Sequence, residues 1–149
     1  MRKRLLWIVP FLFLVAVDQW VKWISTDVEA PLIPGLVSIA ATKNYGFSLG
    51  MLGDASWLAA ILSSFVIIAI ILLLIRSTFT KAMRFAMLMI LSGAFGNLLD
   101  RLFFGYVRDM FRLDFIQFYI FNPADIWITL GCILAGALIL TGKADAGEK

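Results

Sequence analysis

The run from Trp57 to Ile75 contains no charged side chain, and it limits the possible folds more than any other feature of the chain. A helix needs about 20 residues to cross a hydrocarbon core of about 30 Å, so this run predicts a transmembrane helix. Three further stretches are apolar over a similar length, and two of them carry polar residues at one end. The sequence therefore predicts an α-helical integral membrane protein, a single domain over residues 1–149, with four transmembrane helices at about residues 5–24, 57–75, 85–104 and 123–141.

The composition agrees with a membrane protein and excludes several kinds of chemistry. Hydrophobic residues make up 62% of the chain, well above the roughly 45–50% of globular proteins. The 13 Lys and Arg against 10 Asp and Glu leave a net charge of +3, too small a surplus to predict a nucleic-acid partner. There is no histidine and only one cysteine. An intramolecular disulfide, a Ser-His-Asp or Cys-His system and a histidine metal site are thereby excluded, and no metal or cofactor is expected.

The first apolar stretch has two interpretations. The basic residues Arg2 to Arg4 followed by Leu5 to Val17 have the layout of a signal peptide. However, no small-residue cleavage site follows, and the residues from Asp18 to Lys22 continue the helical pattern without a breaker. An uncleaved first span is the favoured interpretation.

Lys and Arg are distributed unevenly between the two sides that four spans would create. Cytoplasmic loops of membrane proteins carry the excess of these residues, so the richer side is expected to be cytoplasmic. Eight lie on one side (Arg2, Lys3, Arg4, Arg76, Lys81, Arg84, Lys143 and Lys149) and four on the other (Lys43, Arg101, Arg108 and Arg112). Both termini are therefore predicted to be cytoplasmic, and most of the acidic residues then lie on or near the outer side.

Two extracytoplasmic segments connect the predicted spans. Residues 25–56 contain a possible short strand from Leu36 to Ile39 and a turn-rich sequence from Asn44 to Gly46, which together predict a small β-structured cap. Residues 105–122 are dense in aromatic side chains, which favours a position in the membrane interface.

Asp18 and Lys22 lie inside the first predicted span, where ionisable groups are costly. Their spacing of four residues, with the acid first, suits an ion pair on one helix face, and Gln19 lies beside them. The spacing alone leaves two interpretations open: a local ion pair near the outer interface and a functional site.

The third predicted span carries Gly93, Gly96, Asn97 and Asp100 at spacings of three and four, so they share one helix face. Small residues on such a face allow close helix contact. A packing face that ends in an Asp100–Arg101 pair is one interpretation. A functional role is favoured because an acid is unfavourable at the negative C-terminal end of a helix.

Asp109 and Asp125 flank the aromatic outer segment. In the sequence from Asn122 to Asp125, Asn122 suits a helix N-cap, Pro123 the first helical position and Asp125 the third. Helix capping alone would explain Asp125. Alternatively, both residues lie at the outer ends of their spans and can meet.

Two adjacent carboxylates cannot both ionise easily, so they share a proton. One then acts as a base on water and the other donates to a peptide carbonyl, which is the chemistry of aspartic proteases. A Ser-Lys pair is the competing possibility, with Ser48 and either Lys43 or Lys22. It is disfavoured because Lys22 already has Asp18 as a partner.

Five motifs in sequence order resemble the bacterial lipoprotein signal peptidases, also called type II signal peptidases. They cover most of the chain, and together they are far more specific than any one alone. The motifs are DQxxK from Asp18, NYGFSLG from Asn44, GxxGNxxDR from Gly93, GYVRD from Gly105 and FNPAD from Phe121.

The resemblance implies an aspartic endopeptidase of the bacterial cytoplasmic (inner) membrane, surrounded by membrane lipids. Such an enzyme removes the signal peptide from prolipoproteins just before a cysteine that carries a diacylglyceryl group. Asp109 and Asp125 match the family's catalytic pair. The family's polar positions around the pocket match Asp18, Lys22, Asn44, Gly46, Asn97, Asp100, Arg101 and Asn122.

One departure from the family pattern and two other classes of protein have to be considered. The second motif often reads N-x-G-x-A-F in the family, whereas this chain has Ser48 and Leu49 in the last two places. The segment that carries this motif, which the resemblance implies is a lid over the site, is therefore expected to pack differently. A small proton- or cation-coupled transporter would place its acids near the membrane midplane. Here they cluster at one interface. A purely structural membrane subunit would leave that cluster unexplained.

Overall fold

The computed structural model describes residues 7–46 and 56–145. Within these ranges the chain forms four helices and three strands. They are α1 (Ile8–Ile24), β1 (Glu29–Ile33), β2 (Val37–Asn44), α2 (Ser56–Arg76), α3 (Lys81–Phe104), β3 (Val107–Leu113) and α4 (Pro123–Leu140).

Three of these helices, α2, α3 and α4, are long and apolar enough to cross a membrane. Helix α1 has 17 residues, which correspond to about 26 Å at 1.5 Å per residue. It is not one of the three candidate spans among the described residues. The fourth transmembrane helix therefore stays a prediction.

Helix α3 begins at Lys81, four residues before the predicted start at Phe85. The Thr80 side chain caps the helix by accepting a hydrogen bond from the Met83 amide, which satisfies one of the unpaired amides of the first turn and fixes the start of the helix. At the other end Gly105 has a φ of +79° and donates its amide to the Arg101 carbonyl. This left-handed position favours glycine, and it turns the chain directly into β3.

Helix α3 lies at the centre of the bundle, where it contacts α1, α2 and α4. Its glycine face packs closely, as predicted: a Cβ atom on Gly96 would lie 2.5 Å from the Asp18 Oδ2 atom of α1. Large apolar side chains such as Phe13, Trp23 and Phe65 point outward and are exposed. The outer surface of the bundle is therefore apolar, which suits contact with lipid.

The three strands form one antiparallel sheet in the order β1-β2-β3. The strand predicted at residues 36–39 is confirmed for residues 37–39, which begin β2, whereas Leu36 lies in the preceding turn. Strand β3 was not predicted, because residues 105–122 were interpreted only as an interfacial aromatic segment. It pairs along β2, with Val37 opposite Leu113 and Asn44 opposite Val107.

Candidate active site

Asp109 lies on β3, and its carboxylate is held by two amide side chains. Asn44 Nδ2 donates to Asp109 Oδ2 at 2.9 Å, and Asn122 Nδ2 donates to Asp109 Oδ1 at 2.6 Å. The side chain is buried, with a relative exposure of 3%. Burial, with a smaller contribution from the charge of Asp125, raises the pKa of Asp109 to about 6, although the two amide hydrogen bonds oppose this shift.

Asp125 lies in the first turn of α4 and forms a capping box with Asn122. The Asn122 side chain accepts from the Asp125 amide at 3.1 Å, and Asp125 Oδ2 accepts from the Asn122 amide at 3.1 Å. The capping interpretation is thus confirmed, but it uses only one carboxylate oxygen. The other, Oδ1, accepts from Asn97 Nδ2 at 2.9 Å.

Asn122 joins the two aspartates. Its side-chain amide donates to Asp109, and its backbone amide donates to Asp125. The chain therefore brings the predicted pair together from a strand and a helix. No hydrogen bond directly between the two carboxylates occurs among the described residues.

Lys22 lies behind this pair and is fully buried. Its ammonium group contacts three acceptors: Asp18 Oδ2 at 3.0 Å, Asp100 Oδ2 at 3.3 Å and Asn97 Oδ1 at 2.9 Å. Three acceptors match the three N–H donors of a lysine. The predicted Asp18–Lys22 pair is confirmed, and it belongs to a network that reaches Asp125 through Asn97.

Asp18 also connects α1 to the start of α4. Its Oδ1 atom accepts from the Ala124 backbone amide at 2.9 Å, which is one of the unpaired donors at a helix N-terminus. Its Oδ2 atom accepts from Lys22 and Gln19. Both oxygens of this buried acid are therefore paired.

Asp100 does not pair with Arg101, contrary to one interpretation of the sequence. It accepts from Lys22 and from Arg108, whose Nη2 atom lies 2.7 Å from Asp100 Oδ1. Arg108 also donates to Gln19 Oε1 at 2.8 Å. No pattern in the sequence indicated these hydrogen bonds of Gln19 and Arg108. Strand alternation could have indicated that Arg108 and Asp109 face opposite sides.

A cavity of about 670 Å³ opens next to Asp109 and Asp125, within the usual size range of ligand sites. Its polar wall contains most of the predicted site residues. Those that line it are Asn44, Gly46, Asn97, Arg101, Asp109, Asn122 and Asp125. Asp18, Lys22 and Asp100 lie behind this wall. They hold the lining residues in place and do not line the cavity themselves.

Arg101 lines the cavity with a guanidinium group that is only partly paired. Its Nη1 atom donates to the Asn97 carbonyl at 3.4 Å, and its buried Nε atom has no partner among the described residues.

Of the residues in the competing Ser-Lys interpretation, Lys43 lies 5.2 Å from the centre of the Tyr106 ring. Ser48 and Leu49, the departures from the family pattern, lie outside the described residues, so the Ser48 alternative is not tested.

The formal charges nearly balance. Lys22 and Arg108 offset Asp18 and Asp100, with which they form ion pairs. The remaining charges at the cavity are those of Arg101, Asp109 and Asp125. Because burial raises the pKa of Asp109, the protonated form of Asp109 is favoured there.

The apolar bundle and the carboxylate-lined cavity define a helical membrane enzyme. The family model described as signal peptidase (SPase) II matches residues 10–141. The chain belongs to the signal peptidase II family and is thus a bacterial membrane protease.

Similar proteins extend over nearly the whole chain. A lipoprotein signal peptidase of Streptococcus pyogenes serotype M5 is 39% identical and covers 99% of this chain and 100% of its own length. One of Streptococcus agalactiae serotype Ia is 40% identical, with 89% and 90% covered. A bacterial membrane enzyme solved by the in meso method at 2.3 Å has a TM-score of 0.85 at 28% identity, covering 96% of this chain and 92% of that one. These similarities do not support the transporter alternative.

Proposed function

We propose that this chain is an aspartic endopeptidase that removes the signal peptide from prolipoproteins, cutting just before a cysteine that carries a diacylglyceryl group. The observation that carries the mechanism is the meeting of Asp109 and Asp125 around Asn122 at the wall of the cavity. Membership of the signal peptidase II family supports the reaction, and the similarity to lipoprotein signal peptidases supports the substrate class.

The two aspartates have different surroundings, which suggests different roles. Asp125 lies at the N-terminus of α4, where the helix dipole favours a negative charge, so it acts as the base. The raised pKa of Asp109 favours its protonated form, so it acts as the acid. Asn122 fixes the separation between them.

In the proposed reaction a water molecule lies between the two carboxyl groups. Asp125 takes a proton from the water while the water oxygen bonds to the scissile carbonyl carbon. At the same time Asp109 donates its proton to the carbonyl oxygen. The tetrahedral intermediate then collapses. Asp109 takes back the hydroxyl proton, the C–N bond breaks, and the proton held by Asp125 passes to the leaving amine, so both carboxyl groups return to their starting states.

The apolar walls of the cavity suit a lipid-modified substrate. Leu62, Val66, Ile90 and Ala94 extend the cavity between the helices, away from the carboxylates. Each buried methylene group of an acyl chain contributes about 0.8 kcal/mol. The lipid on the cysteine would therefore supply much of the binding free energy and place the adjacent peptide bond at Asp109 and Asp125.

The proposed arrangement in the membrane has α1 as a fourth span, both termini in the cytoplasm and the site on the extracytoplasmic side. The asymmetry of Lys and Arg supports this orientation. The three-stranded sheet then forms the extracytoplasmic cap, and lipids surround the exposed apolar faces of the helices.

A cleavage assay tests the function. Purified full-length protein in detergent is incubated with a prolipoprotein that carries the diacylglyceryl cysteine and, separately, with the unmodified precursor. We expect the shortened product from the lipidated form and little from the unmodified one. Equal cleavage of the two forms would contradict the lipid-dependent part, and no cleavage of either would contradict the proposed function.

A further inference from the structure

The apolar part of the cavity contains two hydroxyl side chains, Ser63 on α2 and Thr129 on α4. Neither belongs to the network around Asp109 and Asp125. Their neighbours in the cavity wall are Leu62, Val66, Ile126, Ile128 and Leu130. Ser63 is half-buried and Thr129 is exposed in the open cavity, so a hydroxyl group there becomes costly, unless it forms a hydrogen bond, once a bound molecule excludes water.

Other hydroxyls inside these helices bond to the backbone one turn earlier. Ser64 and Ser92 each donate to the carbonyl oxygen four residues before them, at 2.8 Å and 2.7 Å. This is the usual way for serine and threonine to satisfy a hydroxyl within a helix. Ser63 and Thr129 make no such bond, nor any other to residues 7–46 or 56–145. Their donors are free for a molecule in the cavity.

The two hydroxyls lie at similar distances from the starts of their helices. Thr129 follows Asp125 by one helical turn and so lies about 6 Å farther along the same face of α4. It is about 9 Å from the start of that helix, and Ser63 is about 10 Å from the start of α2 at Ser56, at 1.5 Å per residue.

A substrate whose scissile bond lies at Asp125 would present carbonyl oxygens at this depth. An extended peptide advances about 3.3 Å per residue, so the second residue before the cut lies about 7 Å away. The ester carbonyls of the diacylglyceryl group lie at a comparable distance from the cysteine. Both kinds of carbonyl lose their water partners on entering an apolar cavity.

We propose that Ser63 and Thr129 donate hydrogen bonds to carbonyl oxygens of the bound substrate and thereby form a binding subsite within the apolar part of the cavity. This inference rests on the proposed function. The carbonyls belong either to the signal peptide or to the lipid esters, and the chemistry of recognition is the same for both.

The test measures kcat and KM with the diacylglyceryl substrate for Ser63→Ala and Thr129→Val. A hydrogen bond made equally in the bound substrate and the transition state affects binding only, so KM should rise about three- to tenfold with kcat unchanged. Thr129→Ser keeps the donor and should retain a KM close to that of the wild type. Ser64→Ala is the matched control, because that hydroxyl bonds to its own helix, and it should leave KM unchanged.

A dialkylglyceryl substrate, in which ether linkages replace the esters, identifies the carbonyl. If the esters are bound, the wild-type KM rises on this substrate and the two substitutions add nothing further. If the peptide is bound, the substitutions raise KM equally on both substrates. An unchanged KM for both variants on both substrates, or a fall in kcat alone, would overturn the inference. Wild-type cleavage in the same assay tests the proposed function separately.

Discussion

Asp125 has two roles that one substitution can separate. Asp125→Asn weakens the capping box of α4 and removes a favourable charge from a helix N-terminus, which should cost on the order of 1 kcal/mol of stability. If Asp125 is also the base, activity should fall by orders of magnitude while the protein still folds and inserts into the membrane. Cleavage rates and thermal unfolding of the purified variant measure the two effects separately.

Asp109→Asn should lose activity to a similar extent, and the double variant should be little worse than either single one, because residues that act as a unit are not additive. Asp114→Asn is the control. Asp114 bonds to Ser38 and Arg112 on the sheet and does not line the cavity, so this variant should remain near the wild type. Substantial activity in a well-expressed Asp109 or Asp125 variant would reject the aspartic mechanism and return attention to Ser48.

The pH dependence of kcat/KM should reflect the shared proton. Because the pKa of Asp109 is raised to about 6, its protonated form, the proposed acid, is lost as the pH rises through that value. Activity should therefore decline on the alkaline side, and on the acidic side it should decline as the base takes up a proton. The two apparent pKa values belong to the pair.

The hydrogen bond from Asn44 lowers the pKa of Asp109, so Asn44→Leu should move the alkaline limb to higher pH. If the alkaline limb of the kcat/KM profile stays in place or moves to lower pH in this variant, Asp109 is not the acid whose pKa sets that limb.

At the scale of elements, the close contact between α1 and α3 depends on Gly96 having no side chain. A Cβ atom on Gly96 would lie 2.5 Å from Asp18 Oδ2, so Gly96→Ala should push α1 away from α3, weaken the contacts of Lys22 with Asn97 and Asp100, and lower stability by about 1–3 kcal/mol. Gly136→Ala on α4 is the matched control, since a Cβ there meets nothing within 4 Å. Alanine favours helix, so this variant should be neutral or slightly more stable. Thermal unfolding in detergent compares them, and equal midpoints would rule out the tight contact.

The sequence predicted the elements that depend on local signals. Helix α4 could be located because Asn122, Pro123 and Asp125 mark its start within a few residues of one another. Strand β3 could not, because its stability comes from pairing with β2, more than sixty residues away, and its aromatic neighbours also suit a membrane interface. The ion pair of Arg108 with Asp100 was missed for a similar reason. This ion pair requires β3 to fold back over the end of α3. In the sequence, only Gly105 indicates a turn at that place.

At the scale of the whole molecule, every proposal about the substrate depends on which side of the membrane the cavity faces. The sheet and the carboxylates lie at one end of the bundle, and the turn between α2 and α3 lies at the other, where Thr80 contacts the chain after α4. Excess Lys and Arg at that second end predict that it is cytoplasmic.

Reporter fusions after Arg76 and at the C-terminus should therefore give a cytoplasmic signal. Fusions at Pro34, between β1 and β2, and at Gln117, after β3, should read extracytoplasmic. Pro34 and Gln117 test the same face through different segments that meet in one sheet, so they must agree if that sheet forms in the membrane-inserted protein. A cytoplasmic signal at both would reverse the orientation, and opposite signals would show that α2 or α3 does not cross the membrane as proposed.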